Sequence, residues 1–282
     1  MAQRFLIVDG YPRQSREQFE EVGMRLAGVL YRDMLHRYVP GCEYDLWYVT
    51  DADSETPSRN DVDRYTGILW PGCSQTVYHD TPEVREMVRV ATDAYEVGTP
   101  AFGSCWGIQI AAHAAGGRVE PHPRGREMGL TRQLTLTEAG RKHPMMEGKP
   151  QVYSHFASHD DEVTELPAGA TLLAGNDWSP VQAATFDHRN GSFWAVQYHP
   201  EYDLHELARL ILCRQEKLIR QGLFHDPGDL ARYVDRLEEL HRDPNRQDLR
   251  WQLAIGDDLI DPTIREREFA NWLQHLGNEI LG

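Results

Sequence analysis

The chain has 282 residues, of which 40% are hydrophobic and 26% charged, and its formal net charge at pH 7 is −15. This composition is typical of a globular protein, and the negative charge argues against non-specific binding to nucleic acid or to an acidic membrane surface. The scattered cysteines Cys42, Cys73, Cys105 and Cys213 fit neither a disulfide scaffold nor a metal site. They predict reduced thiols and a cytoplasmic protein, and we find no signal peptide or membrane-spanning run.

The first hundred residues alternate between apolar runs and stretches with helical periodicity. The runs predict buried strands at 5–9, 44–49 and 67–70, whereas the spacing of apolar residues predicts helices at about 15–38 and 83–95. The polar stretch 51–63 is interpreted as a loop. Strands that alternate with helices predict a parallel α/β sheet, in which ligands bind at the carboxyl ends of the strands.

The segment 100–109 predicts a buried strand, a tight turn at Cys105 and a helix. Gly103 and Gly107 allow a sharp turn and close packing of the helix. A thiol at a helix N-terminus lies near unpaired backbone N–H groups and the positive end of the helix dipole, which favour the thiolate. This is the arrangement of a nucleophile elbow with Cys in place of Ser, so Cys105 is the candidate nucleophile.

Short apolar runs between turn residues predict β-rich structure from about 119 to 196, and a helix is predicted at 204–221. Apolar residues at helical spacing then predict a charged, helical C-terminal extension over residues 223–282, after a main domain of residues 1–222. Asp-Pro pairs at 226–227, 243–244 and 261–262 predict the helix boundaries within it.

A second chemical group follows the last predicted strand of the β-rich region. His199 and Glu201 stand two residues apart there. A nucleophilic thiol needs a base that accepts its proton, and the base needs an acceptor that orients it. We therefore predict that His199 is the base and that Glu201 is its partner. Gly72 and the backbone N–H of Trp106 are the candidate oxyanion-hole donors.

Five stretches in order resemble the class I glutamine amidotransferases with a Cys-His-Glu triad, and most closely the amidotransferase domain of GMP synthase. The resemblance covers about residues 5–212. The stretches, with the family patterns they resemble, are 103–109 (G-x-C-x-G-x-Q), 116–120 (G-G-K-V), 126–129 (R-E-F-G), 158–163 (S-H-G-D-x-V) and 196–201 (V-Q-F-H-P-E).

The resemblance implies a flavodoxin-like, three-layer sandwich around a mainly parallel central sheet. It also implies that Cys105 attacks the side-chain amide of glutamine, that His199, oriented by Glu201, passes a proton to the leaving ammonia, and that water releases glutamate from the thioester. Gly72 and Trp106 hold the oxyanion in this scheme. The substrate-binding residues that it implies are Gln109, Ser158, His159 and Asp160; it implies no cofactor and no metal.

Two departures from the family pattern leave the γ-glutamyl substrate open. The turn 71–74 reads Pro-Gly-Cys-Ser and has one glycine where the family has S-G-G-P or N-G-P-G. Asp160 replaces the glycine of S-H-G-D, which puts a carboxylate near the expected place of the substrate's own carboxylate.

Residues 223–282 are too few for the ATP-pyrophosphatase domain of GMP synthase and lack its S-G-G-x-D-S phosphate loop. We therefore favour a glutaminase that supplies ammonia to a separate synthetase. The alternatives are a free-standing γ-glutamyl hydrolase and a non-catalytic scaffold. The extension is interpreted as a lid, a homodimer contact or a docking surface for the synthetase, and truncation after about Gly222 is expected to expose apolar surface.

Overall fold

The structure is a computed structural model that describes residues 3–281, with side chains described within 3–277. The strands of this part of the chain are β1 Arg4–Asp9, β2 Glu43–Tyr48, β3 Gly67–Trp70, β4 Ala101–Ser104, β5 Arg118–Pro121, β6 Glu127–Leu136, β7 Val152–His159, β8 Asp161–Glu165, β9 Ala170–Gly175, β10 Ala183–His188 and β11 Gly191–Val196. Short 3₁₀ turns occupy Gly140–Lys142 and Pro144–Met146.

The α-helices lie between and after these strands. They are α1 Arg13–Glu21, α2 Ala27–Tyr38, α3 Arg59–Val62, α4 Pro82–Val97, α5 Trp106–Ala114, α6 Leu204–Cys213, α7 Gln215–Arg220, α8 Pro227–Arg242, α9 Gln247–Leu253, α10 Asp257–Ile260, α11 Pro262–Arg265 and α12 Arg267–Leu281.

The large sheet has the strand order β2-β1-β3-β4-β11-β10-β9-β6-β7, and β5 and β8 form a separate antiparallel pair. The strands from β2 to β11 in that order run parallel, whereas the strands from β10 to β7 extend the sheet in antiparallel fashion. The carboxyl ends of β3, β4 and β11 therefore meet at one edge of the sheet. The predicted α/β fold class is confirmed.

Helices cover both faces of the parallel part of the sheet because successive side chains of a strand point to opposite faces. Leu6 and Val8 of β1 pack in one core with side chains of α4 and α5. Phe5 and Ile7 of the same strand pack in a second core with side chains of α2 and α12. Burial on both faces explains why β1 is a continuous apolar run rather than an alternating one. The result is the three-layer sandwich that the resemblance implies.

The C-terminal helices contribute to two cores of the molecule. Four buried leucine and valine residues of α8 join a core with α1 and α6. On α12, the ring centroid of Trp272 lies 6.3 Å from that of Phe5 and 5.8 Å from that of Phe102 in β4. The extension therefore covers apolar surface of the chain itself. The division of the chain at residue 222 stays a prediction.

Three local predictions were wrong. The helix predicted at 15–38 is two helices, because Gly23 adopts a left-handed backbone, with φ 77°, between α1 and α2. The predicted loop 51–63 contains α3, whose first turn is capped reciprocally by Ser58 and Asp61. The helix predicted at 204–221 is interrupted at Arg214, which separates α6 from α7.

Candidate active site

Cys105 occupies a strained turn between β4 and α5. Its φ of 54° and ψ of −100° lie where a non-glycine residue is rarely found. Its N–H donates to the carbonyl of Val196 at the end of β11, at 2.8 Å. A Cβ on Gly103 would lie 2.8 Å from Cα of Gly107, and one on Gly107 would lie 2.6 Å from the carbonyl oxygen of Trp70. The two glycines are therefore required for this turn, and the buried Cys105 is held at the sheet edge.

His199 and Glu201 reach the same edge because β11 pairs in parallel with β4. Nδ1 of His199 lies 2.7 Å from Oε1 of Glu201, and the same oxygen accepts a hydrogen bond from Oγ of Ser104 at 3.1 Å. The backbone N–H of His199 donates to Phe156 at 2.9 Å. The imidazole is stacked on the ring of Tyr202, with 4.1 Å between the centroids. The imidazole is therefore held by three contacts: the stacking on Tyr202, the backbone hydrogen bond and the hydrogen bond at Nδ1.

The carboxylate selects the tautomer of His199, since an acceptor at Nδ1 requires a proton there. Nε2 of His199 is buried and has no hydrogen-bond partner among the described residues, although the ring interacts electrostatically with Cys105. Burial alone lowers the pKa of this imidazole, but its interactions with the Glu201 carboxylate and with Cys105 outweigh burial and raise the pKa to about 9. At neutral pH the imidazole is therefore protonated and can donate a proton to a leaving group.

Gly72 lies beside both reactive side chains. A Cβ placed on it would be 2.8 Å from Cε1 of His199 and 3.6 Å from Cβ of Cys105. Trp106 is the first residue of α5, directly after Cys105. The structure thus brings the backbone of both predicted oxyanion donors to the thiol, and the oxyanion hole itself remains a prediction.

A cleft of about 290 Å³ opens beside Cys105, and Gln109, Ser158, His159 and Asp160 all line it. Nε2 of Gln109 donates to the carbonyl of Asp161 at 3.1 Å. Both ring nitrogens of His159 are occupied within the protein, Nδ1 at 2.9 Å from the carbonyl of Asp161 and Nε2 at 2.7 Å from Glu127. Gln109 and His159 thus both bond to the backbone of Asp161, whereas the side chains of Ser158 and Asp160 bond to charged side chains that line the same cleft.

Three cations that the sequence did not single out as site residues line this cleft: Arg126, Arg214 and Lys217. Arg126 was noticed only as part of a motif, and the other two stand in a stretch that we interpreted as an uninterrupted helix. Asp160 forms ion pairs with Arg126 and with Lys217, the latter at 3.0 Å. Burial alone raises the pKa of the Asp160 carboxyl, but these two cations outweigh burial and lower it. The unexpected carboxylate is thus neutralised by its neighbours.

The C-terminal extension contacts the residue that precedes His199. The hydroxyl of Tyr198 donates to Glu268 of α12, and Nζ of Lys149 lies 2.9 Å from the same carboxylate. The Lys149 and Glu268 side chains are both fully buried. Removing one partner of such a pair leaves an uncompensated buried charge, so α12 is fixed against the strand end that carries His199.

Among the described residues, no group of three or more His, Cys, Asp or Glu side chains is placed to hold a metal ion. No helix within the same part of the chain is both long and apolar enough to cross a membrane.

The known proteins that this chain resembles are glutamine amidotransferases and γ-glutamyl hydrolases. The family model "Glutamine amidotransferase class-I" matches residues 28–215. A Pseudomonas γ-glutamyl-L-1-hydroxyisopropylamide hydrolase is 28% identical over 276 residues, which cover 97% of this chain and 92% of that enzyme. The γ-glutamyl peptidase 3 of Arabidopsis thaliana is 30% identical over 175 residues, 61% of this chain and 68% of the peptidase.

The glutamine-hydrolysing GMP synthase of Thermomicrobium roseum is 35% identical over 147 residues, but these cover 52% of this chain and only 25% of the synthase. Among solved structures, a glutamine amidotransferase from Thermotoga maritima superposes with a TM-score of 0.68 at 15% identity, over 98% of both chains. This likeness shows the shared fold. The chain belongs to the class-I glutamine amidotransferase family.

Proposed function

We propose that the chain hydrolyses γ-glutamyl amides and releases glutamate and an amine. The observation that carries this proposal is the extent of the match to the Pseudomonas hydrolase. That match covers 97% of this chain and so includes most of the C-terminal helices. The match to GMP synthase covers about half of the chain. Because α12 completes one core of the sandwich, a relative that shares this part is the better guide to function.

In the proposed reaction, Sγ of Cys105 attacks the γ-carbonyl carbon and forms a tetrahedral adduct. The N–H groups of Gly72 and Trp106 stabilise the oxyanion of that adduct. His199 donates its proton to the leaving amine as the C–N bond breaks, which leaves a γ-glutamyl thioester and a neutral imidazole. His199 then takes a proton from water, the hydroxide attacks the thioester, and glutamate leaves as the thiolate is restored. Glu201 orients His199 and stabilises its positive charge throughout.

The second candidate is a glutaminase that supplies ammonia to a separate synthetase, and the similarity to GMP synthase over 147 residues favours it. The third, a non-catalytic scaffold, predicts no turnover of any amide. The chemistry of Cys105 is common to the first two candidates, so the leaving group distinguishes them.

The test measures glutamate release from L-glutamine and from a panel of γ-glutamyl amines with alkyl, hydroxyalkyl and amino-acid leaving groups. Turnover of γ-glutamyl amines at a higher kcat/KM than glutamine supports the proposal. Turnover of glutamine alone overturns it in favour of a glutaminase. No turnover, with Cys105 still alkylated by a glutamine-analogue electrophile, overturns it in favour of a site that waits for its synthetase.

Two cysteine variants serve as controls. Cys105→Ala removes the proposed nucleophile and is expected to abolish turnover while the melting temperature is preserved. Cys42→Ala removes a partly buried thiol that does not line the cleft and is expected to keep full activity. Residual turnover in Cys105→Ala at the wild-type rate would refute the nucleophile.

A further inference from the structure

Two guanidinium groups meet on one hydroxyl beside the nucleophile. Oγ of Ser158 accepts hydrogen bonds from Nη1 of Arg126 and from Nη1 of Arg214, each at 2.9 Å. The carbonyl oxygen of the same serine lies 3.7 Å from Sγ of Cys105. Ser158 therefore links the thiol to a pair of positive charges that faces the same cleft.

The positive charge of this cluster is incompletely neutralised. Asp160 pairs with Arg126 and Lys217, and the Asp161 carboxylate, also at the cleft, accepts a hydrogen bond from the hydroxyl of Tyr78 at 3.0 Å. Within the described residues Arg214 forms no ion pair, and its side-chain partner is the neutral hydroxyl of Ser158. Like charges this close are unfavourable unless an anion joins them. The cluster is therefore prepared for an anionic ligand.

Arg126 adds to this argument because it is a buried charge. Its side chain is only 7% exposed, and its Nε has no hydrogen-bond partner among the described residues. Burial lowers the pKa of its guanidinium, and the nearby charge of Arg214 lowers it further. Guanidinium groups bind carboxylates in a bidentate manner, so a ligand carboxylate in the cleft would relieve the repulsion between the two guanidinium groups.

We propose that Arg126 and Arg214 bind the α-carboxylate of the glutamyl group and thereby restrict the substrates to γ-glutamyl compounds with a free α-carboxylate. This inference rests on the proposed γ-glutamyl chemistry. Ser158 itself spans from the thiol to the guanidinium pair, and the path from its carbonyl oxygen to its hydroxyl has the same number of bonds as the path from the γ-carbonyl carbon to the α-carboxylate carbon. A ligand lying along Ser158 places its carbonyl at Cys105 and its carboxylate at the guanidinium pair.

A carboxylate on the amine part of the substrate is the other source of the same chemistry. The α-carboxylate fits better because the free amino-acid end of the substrate has one negative and one positive group. The cluster contains the two guanidinium groups for the first and the carboxylate of Asp160 for the second. Asp160 is partly exposed in the cleft, and its carboxylate can receive the α-ammonium group while Arg214 receives the carboxylate. Asp160 also pairs with Arg126, and Lys217 is a positioning residue that holds the Asp160 carboxylate in place.

The test measures binding in a Cys105→Ala background, where no turnover disturbs it. L-Glutamate, a product of either hydrolytic function, is titrated by calorimetry beside L-isoglutamine, in which the α-carboxylate is an amide. Arg214→Gln is expected to weaken glutamate binding about 10- to 100-fold, the range for losing a hydrogen bond to a charged group, and to leave isoglutamine binding unchanged. Arg214→Lys keeps the charge but loses the planar guanidinium, so its affinity for glutamate is expected to lie between those of Arg214→Gln and the unchanged arginine.

Arg64→Gln is the matched control, because this arginine is exposed and lies outside the cleft. Unchanged glutamate binding in Arg214→Gln overturns the inference. Arg214→Gln could instead weaken the binding of γ-glutamylglycine relative to that of γ-glutamyl ethylamide and leave glutamate binding intact. In that case the guanidinium pair binds a carboxylate on the amine part of the substrate, and the inference is likewise overturned. Failure of the wild-type chain to hydrolyse any γ-glutamyl amide would refute the proposed function, whereas the glutamate titration would still report on the guanidinium pair.

Discussion

Replacing Gly72 by Ala is the most direct perturbation of the candidate active site. The new methyl group would lie 2.8 Å from Cε1 of His199, about 0.6 Å closer than an ordinary contact. The backbone of Gly72 is outside the left-handed region, so alanine is tolerated there and the strain falls on the imidazole. His199 is held by Glu201 on one side and stacked on Tyr202, so the ring is displaced from its present position rather than rotating freely.

The expected magnitude follows from the size of that displacement. A misplacement of about 1 Å costs roughly a hundredfold in rate, so a shift of several tenths of an ångström is expected to lower kcat/KM by about tenfold to a hundredfold. The alkylation rate of Cys105 by iodoacetamide is expected to fall in parallel, because in the proposed site protonated His199 stabilises the thiolate. Alkylation requires no knowledge of the substrate, so it tests the geometry independently of the proposed function.

Gly277→Ala is the matched control, since no heavy atom of the described residues outside the backbone of its own helix lies within 4 Å of the position of its Cβ. It is expected to leave both rates at the wild-type level. Thermal unfolding of both variants checks that the fold survives. If Gly72→Ala folds and retains the wild-type alkylation rate and kcat/KM, the reasoning that the imidazole needs this gap is refuted.

Three further predictions concern the charge on His199 and the C-terminal helices. Glu201→Gln removes a charge that raises the pKa of His199 to about 9. Because protonated His199 donates to the leaving group in the proposed reaction, the alkaline limb of kcat/KM is expected to move to lower pH, and an unmoved limb would contradict this role. Trp272→Ala, at a fully buried ring, is expected to lower the free energy of unfolding by about 3–5 kcal/mol, whereas Trp251→Ala, at a 78% exposed ring, should change it by less than about 0.5 kcal/mol; equal effects in denaturant titrations would refute the packing argument. Truncation after Gly222 is expected to give an insoluble or molten product because it uncovers two cores, and a monodisperse, fully active fragment would disprove that.

The features of this protein that depend on local interactions could be predicted from its sequence. An apolar run buried on both faces predicted β1, and small residues around Cys105 predicted the turn that the structure shows with φ 54°. The order of strands and helices predicted the parallel half of the sheet. The motifs around Cys105 and His199 predicted that the two residues act together, and the structure places both side chains at one edge of the sheet because β4 and β11 run parallel.

The tertiary structure decided what depends on distant segments. Arg126 and Arg214 belong to segments far apart in the chain, and their meeting on Ser158 leaves no periodic signal in the sequence. The sequence does not reveal the cations that pair with Asp160 for the same reason, so it predicted only a carboxylate near the expected place of the substrate's own carboxylate. The helical nature of the C-terminal extension was readable from its apolar spacing. That Trp272 completes the core beneath β1 and β4 depends on how α12 docks, because periodicity defines an apolar face but does not specify which surface covers it.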